Sequence, residues 1–305
     1  MKKFYDKPAG IINHSDLRTF KGKCVYWTFF SVLVFVCLIA ILPSIWVLLT
    51  GFKDSQEIYQ SMSFFPKKLS FEIVFTRIGE ALSVMKFGQT SLNTLIVSIG
   101  DVVFSIVIGG LGGYVLSRLK PTGSKLFFVL VVWTMMIPAQ IRTVPLFISW
   151  LDFPFVAKLP GEVSLMNTYW PLWLESASST FNIILFKNYF DSVSISLVEA
   201  AKIDGCGNGR IFFKIMMPLS KPIVMYVAIM AMKNAWSAFF TGYLVLQDAA
   251  IQTLPVRIYT LNSDISIKMN TYMLCLILSS VPMFILFMLF QKQIVGGINV
   301  GGVKG

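Results

Sequence analysis

Three charged side chains lie near the middle of long apolar segments of the sequence, and they are the first candidates for chemistry. Asp101 and Glu175 lie near the middle of two such segments, and Lys233 lies near the middle of a third. A charge inside a membrane span is costly, so it commonly marks a function or an internal ion pair. We hypothesise that one of the acids pairs with Lys233, and a pair of this kind more often stabilises a fold than serves catalysis.

Few residues of the sequence could serve catalysis, metal binding or nucleotide binding. The sequence has one histidine, His14, in a polar N-terminal stretch, and four cysteines that are not spaced as metal-binding pairs. A phosphate-binding loop of the form G-x-x-x-x-G-K-S/T is absent. We therefore predict no catalytic residue, no metal site, no cofactor and no disulfide framework for this chain.

The composition identifies the solvent in which the charged residues must act. Of 305 residues, 55% are hydrophobic and 13% are charged. An ordinary soluble domain carries about a quarter charged residues, and disorder requires low hydrophobicity, so both classes are excluded. The net charge of +11 suits Lys and Arg retained on the cytoplasmic side of a membrane better than nucleic-acid binding.

Six apolar segments are long enough to cross about 30 Å of hydrocarbon as helices. They cover roughly residues 25–49, 91–116, 125–150, 165–186, 222–246 and 271–290. The fourth segment is weaker because it holds Glu175 and several Ser and Thr. The first is too long and starts too late for a cleaved signal peptide. The predicted fold is all-α, a polytopic membrane protein with six transmembrane helices.

The distribution of basic residues predicts how these helices are oriented. Of the 26 Lys and Arg, 16 fall in the two terminal tails and in the loops after the second and fourth segments, and 8 fall in the alternate loops. The positive-inside rule places the first set in the cytoplasm. We predict cytoplasmic tails at 1–24 and 291–305, a transmembrane domain at 25–290, and a location in the plasma (inner) membrane.

Prolines and glycines inside the segments predict local features of the helices. Kinks or breaks are expected at five prolines: Pro43, Pro138, Pro145, Pro171 and Pro282. Gly109 and Gly113 form a small-residue pair that lets two helices approach closely, which indicates packing rather than a site.

The loop at 192–222 is too polar to cross the membrane and too patterned to be a passive linker. An apolar stripe at helical spacing comes first, formed by Ile195, Val198, Ala201 and Ile203. Glycines at 205, 207 and 209 then break the helix, and a second helical stretch at 210–217 ends at Pro218. An apolar helical surface on the cytoplasmic side indicates a protein partner.

This loop resembles the EAA loop of ABC-importer transmembrane subunits, in which E-A-A is followed by a glycine and then I-x-x-P. The matching residues are Glu199, Ala200, Ala201, Gly205, Ile215 and Pro218, with Asp204 and Pro222 typical of the carbohydrate branch. Further motifs of that branch are matched by Asn93-Thr94, by Tyr114 to Arg118, by Met136 to Gln140 with Pro145-Leu146, by Thr253 to Val256 and by Gly301 to Gly305. Two positions depart from the family pattern: Ser194 replaces a common proline, and Ser237 replaces an asparagine after Trp236.

The resemblance implies a type I ABC-importer permease fold that moves a sugar or oligosaccharide by alternating access. It implies that the EAA loop docks on a separate cytosolic ATPase, with Glu199, Ala200, Ala201, Asp204, Gly205, Ile215 and Pro218 as the coupling residues. The implied partners are a second permease subunit, two ATPase subunits that bind the ATP, an extracellular solute-binding protein, the sugar and membrane lipid. No nucleic acid is expected.

A sugar path requires hydrogen-bonding side chains beside aromatic faces in a mostly apolar pocket. We predict that this path includes Gln140 from the third segment and Asn234, Trp236 and Tyr243 from the fifth segment and its exit. The neighbouring Phe239 and Phe240 are aromatic as well.

Three alternatives remain open from the sequence. The cargo of an ABC permease could be another polar solute, such as a glycerophosphodiester. The three intramembrane charges would suit an ion-coupled secondary carrier, although the patterned loop then has no purpose. A membrane glycosyltransferase needs catalytic acids near an interface, whereas Asp101 and Glu175 are isolated and deep.

Overall fold

The computed structural model describes residues 20–61, 63–152 and 164–295, and every regular element in these ranges is helical. The predicted tails therefore lie largely outside the described residues, as do His14 and the motif at Gly301 to Gly305. The chain up to Ser192 forms α1 (Phe20–Gly51), α2 (Ser55–Gln60), α3 (Phe71–Val84), α4 (Phe87–Tyr114), α5 (Ser124–Thr134), α6 (Ala139–Leu151), α7 (Trp170–Ala177) and α8 (Thr180–Ser192). The chain after Ser192 forms α9 (Ile195–Ile203), α10 (Asn208–Ile211), α11 (Met217–Leu219), α12 (Lys221–Ser237), α13 (Phe240–Val245), α14 (Leu254–Asn262) and α15 (Met269–Val295). Two π-helical turns, Val115–Leu119 and Phe212–Met216, follow α4 and α10.

In the part of the chain that the structure describes, three helices are long and apolar enough to cross a membrane without interruption: Phe20–Gly51, Phe87–Leu119 and Met269–Lys292. A fourth crossing is possible if Asn208–Leu219 and Lys221–Ser237, which meet at 81°, count as one span. The third, fourth and fifth predicted spans are each divided into two shorter helices. The all-α prediction is confirmed, and the count of six spans stays a prediction.

Proline explains two of the helix boundaries. Pro138 stands immediately before α6, after the end of α5, and Pro171 occupies the first turn of α7. Proline lacks an N–H, which costs nothing at a helix start because the first N–H groups have no partner within the helix. Pro43, Pro145 and Pro282 lie inside α1, α6 and α15, which continue through them.

Helix α4 is the centre of the packing, with α3, α7, α8, α12 and α14 against it. Its glycines allow the closest approach. A Cβ on Gly113 would lie 2.6 Å from Cβ of Phe186, and one on Gly109 would lie 3.0 Å from Cβ of Asn182. The predicted role of this glycine pair in close helix packing is therefore confirmed, with α8 as the partner helix.

Polar side chains near the start of α4 tie it to the segment before α14. The Asn93 side chain donates to the carbonyl oxygens of Ala250 and Gln252, at 2.9 and 3.0 Å. The N–H of Leu254 donates to Oγ1 of Thr94 at 2.8 Å. Buried backbone groups need such partners where no water reaches. Two motifs that are far apart in the sequence thus meet in one contact.

Three apolar clusters are buried in the described part of the chain, and two of them lie near the two ends of α4. One is built around Phe186, Phe190 and Phe212 and includes Tyr114 from α4. The other is built around Met85, Leu254 and Leu274. Helix α1 packs against α15 and leaves almost all of its apolar side chains exposed, which suits contact with lipid.

Gly100 offers a test of the tight packing around α4. A Cβ at this position would lie 2.0 Å from Nε1 of Trp173 in α7. We expect Gly100→Ala to cost about 1–3 kcal/mol, because the added methyl forces the indole away from its site. The measurement is the melting temperature of the purified protein.

The matched control is Gly88→Ala in the same helix, where an added Cβ meets nothing within 4 Å. Alanine favours the helix at both positions, so the control should hold or slightly raise the melting temperature. Equal melting temperatures for the two variants would contradict the packing at Gly100.

Candidate functional site

A cavity of about 770 Å³ lies where broken helices meet α4. Val97 and Asp101 of α4 line the cavity. The rest of the wall comes mainly from three helix junctions: α5 with α6, α7 with α8, and α12 with α13. Interrupted helices at membrane depth are tolerated where they are buried in protein or line a water-filled cavity, and they commonly mark a binding site. The cavity is therefore the leading candidate for a solute site.

Asp101 joins α4 to α7 at the cavity wall. Its side chain is buried, and its Oδ1 accepts a hydrogen bond of 2.7 Å from the Ser176 hydroxyl. The Ser105 hydroxyl donates to the Ser176 carbonyl oxygen at 3.3 Å, one turn further along α4. The carboxylate thus fixes the end of α7 beside the break that opens into the cavity.

The hypothesised ion pair between an acid and Lys233 is wrong for the described residues. The two ion pairs found there are Arg77 with Asp54 and Lys187 with Asp191. Lys233 lies on an exposed side of α12 and does not line the cavity, whereas the carboxylate of Asp101 is turned inward to Ser176.

Glu175 and Arg142 supply the other charges of the cavity wall. Both side chains are exposed in this chain. Arg142 was missed by the sequence reasoning, although a signal existed. It is a charged residue within the third apolar segment, two positions after Gln140 in the proline-containing motif.

Only Asn234 of the four predicted path residues lines the main cavity. Trp236 lies on another face of α12 and packs against the cluster around Leu254 and Leu274. Its Nε1 is buried without a hydrogen-bond partner in the described residues, and its ring borders a separate cavity of about 250 Å³.

The other two predicted path residues lie beside the cavity rather than in its wall. Gln140 is exposed on α6, two residues before the lining Arg142. The ring of Tyr243 packs edge-on against Tyr259, with centroids 4.8 Å apart. Successive residues of a helix point about 100° apart, which explains how close neighbours in sequence face different surroundings.

The lining combines many hydroxyl and amide groups with aromatic rings and few charges. The uncharged polar members are Thr134, Ser176, Ser178, Ser179, Thr180, Asn234, Ser237, Thr241 and Thr253, and the aromatic members are Phe181, Phe239 and Phe240. This mixture suits a solute with many hydroxyl groups. Among the described residues, no group of three or more His, Cys, Asp or Glu is placed to hold a metal ion.

The patterned loop forms the second part of the site. Helix α9 covers Ile195–Ile203, and Gly205 follows with φ of +77°, a conformation that favours glycine. The backbone N–H of Cys206 donates to the carbonyl oxygen of Ala201 at 2.9 Å, which closes the helix end. The predicted helix and glycine bend are therefore confirmed.

The sequence predicts that the apolar stripe of α9 forms one exposed surface, and the structure differs. Val198 and Ala201 are buried against the cluster around Phe190 and Phe212. Ile195 and Ile203 are 58% and 86% exposed. The helix thus uses part of its apolar surface to attach to the bundle and leaves part available to a partner.

The matched loop residues are also divided between the bundle and solvent. Glu199, Ala200 and Asp204 are exposed, Ala201 is buried, and Ile215 is half-buried in the second π-helical turn. Pro218 lies within α11 rather than at a helix end, because the chain turns at Ser220. The second helical stretch accordingly runs over Asn208–Leu219 instead of 210–217.

Comparisons with known proteins bear on both parts of the site. The family described as "Binding-protein-dependent transport system inner membrane component" matches residues 101–300. The arabinooligosaccharides transport system permease protein AraQ of Halalkalibacterium halodurans is 32% identical, over 89% of this chain and 94% of that protein. The probable ABC transporter permease protein YurM of Bacillus subtilis is 30% identical, over 93% of this chain and 89% of that protein.

A solved structure shares the fold. It is the crystal structure of a bacterial ABC transporter involved in the import of the acidic polysaccharide alginate, with a TM-score of 0.73 and 22% identity. The alignment covers 90% of this chain and 98% of that one. The predicted permease fold is confirmed by this likeness.

The hydrogen bond between Ser176 and Asp101 gives a test of the cavity wall. Ser176→Ala removes the hydroxyl that donates to the buried carboxylate, and we expect a cost of about 1–3 kcal/mol. The melting temperature of the purified protein should fall accordingly.

Ser178→Ala is the matched control, because the Ser178 hydroxyl bonds to a carbonyl oxygen of its own helix, that of Glu175, and is exposed. Its melting temperature should stay close to that of the unmodified protein. A Ser176→Ala variant as stable as this control would show that Asp101 does not depend on the serine.

Proposed function

This chain belongs to the family of binding-protein-dependent transport system inner membrane components, and we propose that it is a permease subunit of an ATP-driven importer for a sugar or oligosaccharide. The observation that carries the proposal is the presence, in one helical bundle, of a hydroxyl-rich cavity and an exposed coupling loop. A cavity alone would suit many kinds of transporter. The loop adds a surface through which a separate cytosolic ATPase can act on this chain.

The substrate class is supported by the wall of the cavity and by the named relatives. Sugars need many hydrogen-bonding partners and aromatic surfaces rather than strong charges. The polar lining residues, among them Ser178, Ser179 and Asn234, stand beside Phe239 and Phe240. The relative AraQ is named for arabinooligosaccharides, which fits this chemistry.

The proposed mechanism divides the work between subunits. This chain supplies half of a passage and holds no phosphate-binding loop in its sequence. Two cytosolic ATPase subunits bind and hydrolyse ATP, and their motion reaches the membrane through the exposed side of α9, at Glu199, Ala200 and Asp204. An extracellular binding protein delivers the sugar, and a second permease subunit completes the passage.

The membrane arrangement follows from the same proposal. The protein is a multi-pass component of the inner membrane, with both termini and α9 on the cytoplasmic side. This orientation is supported by the excess of Lys and Arg in the tails and in the loop at 192–222. Helix α1 and the outer side of α15 contact lipid.

Capture of the ATPase by the tagged chain tests this assignment. The tagged chain is expressed in its own host and extracted in mild detergent. An ATPase subunit should co-purify with it, in an amount comparable to that of the tagged chain. Gly205→Val should reduce the amount severalfold, because a β-branched residue at positive φ costs about 1–2 kcal/mol and displaces α9 from its docking geometry.

Gly207→Ala serves as the control, since Gly207 has an ordinary extended backbone and open space around it. It should capture as much ATPase as the unmodified chain. If the unmodified chain captures no ATPase at all, the importer assignment fails.

A substitution at Asn234 tests whether the sugar passes through the cavity. Asn234→Ala removes a hydrogen-bonding side chain from the lining, and we expect uptake to fall by about two- to tenfold, the effect of one lost hydrogen bond. The measurement is uptake of labelled arabinooligosaccharides by cells or vesicles that contain the complete transporter.

The control is Asn262→Ala, which makes the same change at the exposed end of α14, away from the cavity. Both variants should assemble with the ATPase equally well. Unchanged uptake in Asn234→Ala would remove this residue from the path.

A further inference from the structure

The cytoplasmic end of α4 holds the chain immediately before α9. After α4 the helix widens into the π-helical turn Val115–Leu119, which carries Ser117 and Arg118. The Arg118 guanidinium donates to the carbonyl oxygens of Phe190 and Val193. Those two residues lie at the end of α8 and in the short link to α9, so one side chain bridges three elements. π-Helical turns are frequent at functional positions.

A second set of contacts supports the same junction. The Ser117 hydroxyl donates to Oδ1 of Asp191 at 2.6 Å, and Nζ of Lys187 donates to Oδ2 at 2.7 Å. Lys187 also lies over the ring of Phe128 in α5, 4.9 Å from its centroid. Both carboxylate oxygens are therefore engaged. We call the side chains of Ser117, Arg118, Lys187 and Asp191, with the two carbonyl groups, the clasp.

Apolar contacts beside the clasp attach the coupling loop to α4 as well. The ring of Tyr114 packs against Phe190 and Phe212, with centroids 6.3 and 5.4 Å apart. Phe212 belongs to the second π-helical turn, which follows α10. Val198 of α9 is buried in the same cluster. The coupling loop is thus seated directly on the end of α4.

The chain on either side of the coupling loop is not continuous helix. Before α9, Val193 and Ser194 have extended backbone, which leaves a short non-helical joint. After the loop, the chain turns by 81° between Asn208–Leu219 and Lys221–Ser237. Without the clasp, only apolar contacts, among them those of Val198 and Ala201, would hold α9 to α4 and resist its rotation at the first joint.

Helix α4 runs without interruption from the clasp to the cavity. Asp101 lies 17 residues before Arg118 in the sequence, roughly 25 Å along a helix that rises 1.5 Å per residue. Val97 and Asp101 line the cavity, and Asp101 holds α7 through Ser176. A displacement at the cytoplasmic end of α4 therefore reaches the cavity wall along one rigid element.

We propose that Arg118 and Asp191 are positioning residues that lock α9 to α4, so that motion of the coupling loop moves the cavity wall directly. The proposal rests on the function proposed above, since it takes α9 as the ATPase contact. Both hydrogen bonds come from Nη2 of Arg118, whose two hydrogens are held in the guanidinium plane, whereas a rotating lysine ammonium offers no such fixed geometry. Asp191 orients the same junction through Ser117.

The test measures the distance between α9 and α4 in the assembled transporter. Nitroxide labels are placed at Leu111→Cys in α4 and Ser196→Cys in α9, both exposed positions, in a complex whose native cysteines have been replaced. Pulsed electron paramagnetic resonance then gives the distance distribution without nucleotide and after trapping with ATP and vanadate. We expect one narrow distribution that is the same in both states.

Arg118→Ala should about double the width of that distribution, since the joint before α9 can then open locally, and its mean should change on trapping. Asp191→Ala should give an intermediate width, and Arg118→Lys should recover part of the loss. Lys125→Ala is the control, because it removes an exposed cation at the start of α5 that takes no part in the clasp.

An Arg118→Ala complex that assembles and keeps the original width in both states would overturn the proposal. If the Arg118→Ala variant does not assemble, the Asp191→Ala variant provides the test. An unchanged width of the distance distribution in that variant would overturn the proposal equally. A reference chain that captures no ATPase would instead refute the proposed function, so the two failures are distinguishable.

Discussion

The close packing of α4 against its neighbours is the constraint on which the rest of the molecule depends. Hydrocarbon offers no hydrogen bonds to broken helices, so their free backbone groups must be enclosed by protein. Gly100 and Gly113 let α7 and α8 lie directly on α4, and Asn93 and Thr94 bind the backbone that enters α14. The interrupted helices can then surround a cavity without exposing their ends to lipid.

The sequence predicted the helical class and the patterned loop because both depend on local signals. Apolar length, proline and glycine act over a few residues, and the bend at Gly205 and the start of α6 at Pro138 follow from them. The rotation of the helices could not be predicted in the same way. Helix α12 is apolar on most sides, so periodicity did not indicate whether Asn234, Trp236 or Lys233 would face the cavity.

The same reasoning explains which site residues were found and which were missed. The matched motif at Glu199 to Gly205 is contiguous, and the structure keeps it on one helix and one turn. The cavity wall is assembled from five separate segments, and Arg142 joins it only through the tertiary arrangement. The role of Arg118 was hidden because its acceptors, the carbonyl groups of Phe190 and Val193, leave no mark in the sequence.

The central claim is that α9 and α4 connect the solute cavity of this bundle to a separate cytosolic ATPase. The most direct measurement is electron cryomicroscopy of the assembled complex in lipid nanodiscs. The account predicts six crossings by this chain, α9 seated in a groove of an ATPase subunit, and the cavity facing a second permease. A map in which α9 contacts no partner and the cavity opens to lipid would contradict it.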